Sequence, residues 1–129
     1  MSVGIVVITH GQVGEATIKA AEFILDRSLE GIRLVPFTQS GAHPTGHAEL
    51  KAAIDQSDDG DGVLVLTDLI GASPANLVSE MLPEIRATLV TGVNLAMLLR
   101  VWNYRNLPLN TLAKKAVTGG KKGIEAIDS

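Results

Sequence analysis

Val3-Gly4-Ile5-Val6-Val7-Ile8-Thr9-His10-Gly11 sets the architecture of this chain. The run is β-branched almost throughout and has no polar alternate, the pattern of a strand buried on both faces in a parallel sheet. From Val13 the spacing changes. Val13, Ala16, Thr17, Ala20, Ala21 and Ile24 fall on one face of a helix. The same alternation recurs downstream. Ile32 to Phe37 reads as a second strand, closed by proline, and Leu50, Ala53 and Ile54 mark the inward face of a shorter helix. Val63-Leu64-Val65-Leu66-Thr67 is a third buried strand. Ser73-Pro74 has the form of an N-cap followed by proline at the first helical position, with Leu77, Val78, Met81 and Leu82 inward.

Ala87 to Val90 is a fourth strand, and Asn94 opens a helix with Leu95, Leu98, Leu99 and Trp102 on one side. Pro108 starts a last helix with Leu109, Leu112, Ala113, Ala116 and Val117 inward, which Gly119-Gly120 is expected to stop. The tail from Lys121 to Ser129 alternates weakly and reads as a short edge strand or a frayed end. Strands alternating with helices give an α/β fold, three layers on a mainly parallel sheet. At roughly 150 residues per domain, the 129 residues make one domain.

Composition excludes several functions. A net charge of −3 argues against a general nucleic-acid binder, which needs a basic face for phosphates, so nucleic acid is not an expected partner. There is no cysteine, which removes disulfides, thiolate catalysis and Cys-based metal sites. Aromatics make up 3% (Phe23, Phe37, Trp102, Tyr104), too few for a sugar-stacking groove. The N-terminus lacks a basic leader, and the longest apolar stretch, Val93 to Leu99, is too short for a bilayer. A cytoplasmic protein is expected.

In open parallel sheets, ligands meet the carboxyl ends of the strands. Two polar segments arrive there: Thr9-His10-Gly11 after the first strand, and Asp68 to Asn76 after the third. If those strands are neighbours, His10 faces Asp68. A neutral imidazole is a good nucleophile when a carboxylate holds one ring N–H and leaves the other nitrogen free. The helix start at Ser73 offers unpaired backbone N–H groups and a positive dipole end, an anion site. Gly71 and Ala72 admit a close approach, and the Thr9 and Ser73 hydroxyls add donors. Taken singly, each feature has a structural reading: a satisfied strand-end histidine, a turn-capping aspartate, a helix start. Their convergence points to a phosphoryl group held on His10.

The segments Val3 to Gly11, Asp68-Leu69-Ile70-Gly71-Ala72-Ser73-Pro74-Ala75-Asn76 and Thr91-Gly92-Val93-Asn94-Leu95-Ala96-Met97-Leu98 resemble the three signature segments of the mannose-family EIIA domain. That family carries phosphoryl groups in the bacterial sugar phosphotransferase system. The resemblance implies a doubly wound sheet and a homodimer in which a C-terminal antiparallel edge strand is swapped between subunits. It implies that His10 accepts a phosphoryl group from phospho-HPr and passes it to a separate IIB protein, with no cofactor. Carried over by position, Asp68 orients His10. Thr9, Ser73 and the amides of Gly71, Ala72 and Ser73 hold the phosphoryl oxygens. Leu69, Ile70, Asn94 and Met97 fall at the same edge, as docking positions for protein partners, with burial under a neighbouring loop an equal reading of the apolar three. Membrane association is expected to be at most peripheral, through a permease complex. Two departures stand out: Ile70-Gly71-Ala72 replaces an aromatic and two glycines, and Pro-Ala-Asn replaces Pro-Phe-Asn.

An alternative is a regulatory module whose partners respond to the phosphorylation state of His10. A serine hydrolase built on Ser73 lacks the Gly-x-Ser-x-Gly elbow, and a receiver domain lacks the acidic pair for magnesium. His43 and His47 have the spacing of a metal pair, but Pro44 and Gly46 interrupt the helix between them and no third ligand is evident, so no metal site is expected.

Overall fold

Strands that are apolar on both faces have to lie in the middle of a sheet with helices on either side, and the two most apolar strands do so here. The computed structural model describes residues 2–38 and 46–129. Strand β1 (Gly4–Thr9) pairs in parallel with β2 (Ile32–Pro36) on one side and with β3 (Val63–Leu66) on the other. Strand β4 (Ala87–Val90) extends the sheet beyond β3, giving the order β2-β1-β3-β4. Helix α1 (Val13–Leu25) connects β1 to β2, α2 (His47–Ser57) precedes β3, and α3 (Ser73–Met81) leads towards β4 through a short 3-10 turn. Helices α4 (Leu95–Asn103) and α5 (Leu109–Lys122) follow. The expected three-layer, doubly wound parallel fold is the one observed.

The strands divide their side chains between two cores. Ile5, Val7, Leu64 and Leu66 pack under α1, α4 and α5 with Ala21, Leu98, Val101 and Leu112. Val6, Ile8, Val63 and Val65 pack under α2 and α3 with Leu50, Ile54, Val78 and Met81. Among the described residues, no helix is long and apolar enough to cross a membrane.

The helix face expected for α1 is rotated. Gly14, Ile18, Ala21 and Leu25 turn to the core, while Val13 and Ile24 are exposed. The cause is close approach: a Cβ on residue 14 would lie 2.9 Å from Val7 Cγ1 and 3.0 Å from Leu34 Cδ1. Glycine thus marks the line of tightest contact, where a hydrophobic pattern records nothing.

Two further expectations change. Ser73 is the first residue of α3 rather than its cap, a position taken by Ala72, with Pro74 following inside the first turn. Gly119-Gly120 does not end α5, which runs on to Lys122. Both glycines are buried against α4, and a Cβ on residue 119 would sit 2.7 Å from Arg100 Cβ and 2.8 Å from Arg100 Cγ. The tail at 124–129 is exposed and forms no strand in the single chain.

Gly119→Ala separates the two roles. As a helix-weakening residue, Gly119 would gain about 1 kcal/mol on replacement by alanine. As a contact residue it should instead lose roughly 1–3 kcal/mol to overpacking. Urea denaturation is expected to show net destabilisation; a more stable variant contradicts the contact role.

Candidate functional site

In the order β2-β1-β3-β4, successive strands are added in one direction from β1 and in the other from β3. A doubly wound sheet opens its crevice at such a reversal, above the carboxyl ends of the two central strands. His10 and Asp68 emerge there. Asp68 Oδ2 accepts a hydrogen bond from the backbone N–H of His10 at 3.2 Å and lies 2.8 Å from His10 Nδ1. An ionised carboxylate only accepts, so Nδ1 carries the hydrogen and Nε2 presents its lone pair outward. The His10 side chain is 45% exposed and that of Asp68 is 15% exposed. The nucleophilic edge is therefore reachable while its orienting partner is shielded.

Burial is the largest single influence on the Asp68 carboxyl and pushes its pKa up. The hydrogen bonds from the His10 ring, the His10 backbone and its own backbone amide together outweigh burial. They hold Asp68 below the usual 3.8. Its second oxygen, Oδ1, is buried without a hydrogen-bond partner among the described residues, as is the hydroxyl of Thr67 just before it.

The turn that carries His10 is built from local bonds. Gly11 takes φ +45°, a left-handed conformation that suits glycine. The buried Thr9 hydroxyl accepts from Gly14 N in the first turn of α1 at 2.7 Å and donates to His10 O at 3.2 Å. Thr9 was expected among the phosphoryl-holding groups. Its hydroxyl is committed to the His10 carbonyl and the Gly14 N–H, and so ties the His10 turn to the start of α1.

Six residues, Thr67 to Ala72, link β3 to α3 and bring the N-terminus of that helix to the same edge. Gly71 has φ +78°, and its carbonyl accepts from Asn76 Nδ2 at 3.0 Å. The Ala72 N–H donates to Leu69 O at 3.4 Å, closing the loop on itself. Leu69 and Ile70 project into solvent at 58% and 77% exposure.

Asn94 and Met97 are both tied into the packing of α4. Asn94 caps α4 by accepting from Met97 N at 2.8 Å, and its Nδ2 donates to Gly120 O at 3.1 Å, tying α4 to α5. Met97 is 3% exposed and belongs to the core.

Phe37 was not singled out by its sequence. Its ring meets that of His10 edge-on, with centroids 6.3 Å apart at 75°. The signal lay in the register: Thr9 pairs with Pro36, so the next residues, His10 and Phe37, come side by side. His43 lies outside the described residues. His47 pairs with Glu80 at 3.1 Å.

The model of the family described as PTS system fructose IIA component matches residues 4–116. The PTS system mannose-specific EIIAB component of Escherichia coli (strain K12) is 29% identical over 130 residues, 98% of this chain. The chain spans 40% of that relative's length. The mannose/sorbose specific IIA subunit of the phosphotransferase system from Enterococcus faecalis superposes with a TM-score of 0.85 at 24% identity, covering 100% of this chain and 97% of that one. The phosphotransferase system component EIIA from Streptococcus agalactiae gives 0.79 at 24% identity, covering 96% of each.

The lowered pKa of Asp68 has a consequence for stability, shared with Asp58, whose carboxyl the Gly60 and Gly62 N–H groups also hold below 3.8. Near that value the unfolded chain binds protons that the folded chain does not, so stability falls as pH drops. The contribution is complete above the unfolded value and disappears as pH falls through the lowered folded ones. Urea midpoints are expected to decline below about pH 4, and Asp68→Asn should make that decline shallower. An unchanged acid slope in Asp68→Asn contradicts the proposed hold on its carboxylate.

Proposed function

The chain belongs to the mannose-type EIIA family, the IIA components of the sugar phosphotransferase system, and from that premise we propose that His10 is its phosphoryl carrier. The observation that carries this reading is the 2.8 Å contact of His10 Nδ1 with Asp68 Oδ2. It leaves Nε2 as the exposed nucleophile.

Nε2 attacks the phosphorus of phosphohistidine on HPr. A new N–P bond forms as the donor's N–P bond breaks, and the donor imidazole keeps the released electron pair. Asp68 stabilises the positive charge that His10 gains, through the hydrogen on Nδ1. The phosphoryl oxygens meet the N-terminal end of α3, where Gly71, Ala72 and Ser73 supply the loop and the first helical turn. Helix N-termini favour such anions. Thr9 acts through the backbone by fixing the His10 turn. Transfer to a IIB component reverses these steps on a new acceptor.

Residues 1–129 work as a single carrier domain in the cytoplasm. Leu69 and Ile70 form an apolar rim beside His10, suited to docking HPr and IIB. The exposed Ile124 and Ile127 of the tail, and the outer edge of β4, support a homodimer in which the tail of one subunit pairs with the other.

With enzyme I, HPr and labelled phosphoenolpyruvate, the protein is expected to take up one phosphoryl group, and His10→Ala to take up none. Labelling of His10→Ala at the wild-type level contradicts the assignment. Asp68→Asn removes a charge-assisted bond of about 1.5–3 kcal/mol, so transfer should slow by roughly ten- to a hundredfold. An unchanged rate removes Asp68 from the mechanism.

A further inference from the structure

The opposite end of the sheet carries a second concave site. The amino ends of β1 and β2 border a cleft of about 530 Å³, which adjoins a hollow of about 400 Å³. Glu30, Trp102 and Arg105 line both. Three of the chain's five arginines, Arg27, Arg33 and Arg105, converge on this space. None of them forms an ion pair among the described residues, although Glu30 and Asp59 share the walls. In a chain of net charge −3, walls with three guanidinium groups against two carboxylates are locally positive.

Two of these groups are also fixed in place. Arg33 Nε donates to Ser57 Oγ at 3.0 Å, and that hydroxyl donates to Ala53 O at 2.9 Å. Arg105 Nη1 donates to Trp102 O at 2.7 Å, and its guanidinium lies 3.9 Å from the centre of the indole. Their remaining N–H groups have no protein acceptor among the described residues.

We propose that this cleft binds a phosphorylated sugar or polyol. Guanidinium forks match phosphate oxygens in shape and charge. Glu30 and Asp59 in the same walls would repel a second phosphate, but they are good acceptors for hydroxyl groups, so one phosphate carried on a hydroxylated frame suits the mixed lining. The volume falls within the roughly 300–1,000 Å³ of small-molecule sites. A nucleotide fits less well. The indole is only 6% exposed and Arg105 covers one face, which leaves no aromatic surface for a base. The cleft lies at the amino ends of the strands and His10 beyond their carboxyl ends, so binding does not depend on the phosphoryl chemistry.

Trp102 is the only tryptophan, so its fluorescence reports on the cleft directly. Titration with a hexose 6-phosphate, followed by fluorescence and by calorimetry, should show saturable binding. Inorganic phosphate should bind about tenfold more weakly, and free hexose should not bind. Arg33→Gln, at an exposed position, should weaken the hexose phosphate about tenfold, and Arg27→Gln should weaken it too. His10→Ala should bind as wild type does. Three results overturn the proposal: no saturable signal by either method, inorganic phosphate binding as tightly as the hexose phosphate, or full affinity in both arginine variants.

Discussion

Parallel pairing of β1 with β3 is the constraint on which the rest of this structure depends. Both strands are apolar on both faces, so each needs a strand on either side and helices above and below. Satisfying both at once puts them together in the middle, with β2 and β4 outside. The direction of winding then reverses between them, and a crevice opens above their carboxyl ends. His10 and Asp68 are the polar residues that follow the two strands, so the fold itself produces their 2.8 Å contact.

Such an arrangement suits holding a phosphoryl group better than hydrolysing it. Asp68 is bound to His10 through both the ring and the backbone N–H, which leaves it oriented towards the histidine rather than towards a water on the phosphorus. The His10 side chain is 45% exposed, and Leu69 and Ile70, which follow Asp68 in the chain, are exposed too. Under the proposed function, exposure of the nucleophile and shielding of its carboxylate are complementary requirements of a relay between proteins.

Much of this was legible in the sequence, for a physical reason. Unbroken apolar runs such as Val63 to Leu66 identify doubly buried strands, and the polar residues just after them identify the edge where chemistry sits. Less legible were features that depend on contact at a distance. Gly14 and Gly119 have no side chain to enter a hydrophobic pattern, yet they fix how closely α1 meets the sheet and α5 meets α4. Asn94 announces a helix start, but its bond to Gly120 joins residues far apart in the chain. Phe37 reaches His10 only through strand register. Thr9 reads as a hydroxyl donor beside His10, whereas strand alternation turns its hydroxyl inward to the first turn of α1.

The central claim is that Asp68 holds the hydrogen on Nδ1 of His10 and so dedicates Nε2 to the phosphoryl group. Nitrogen-15 and phosphorus-31 NMR of histidine-labelled protein, recorded after phosphoryl transfer from HPr, tests it directly. The account predicts a single phosphohistidine, at His10, with phosphorus bonded to Nε2 and hydrogen retained on Nδ1. Phosphorus on Nδ1 of His10, or on His43 or His47, would contradict it.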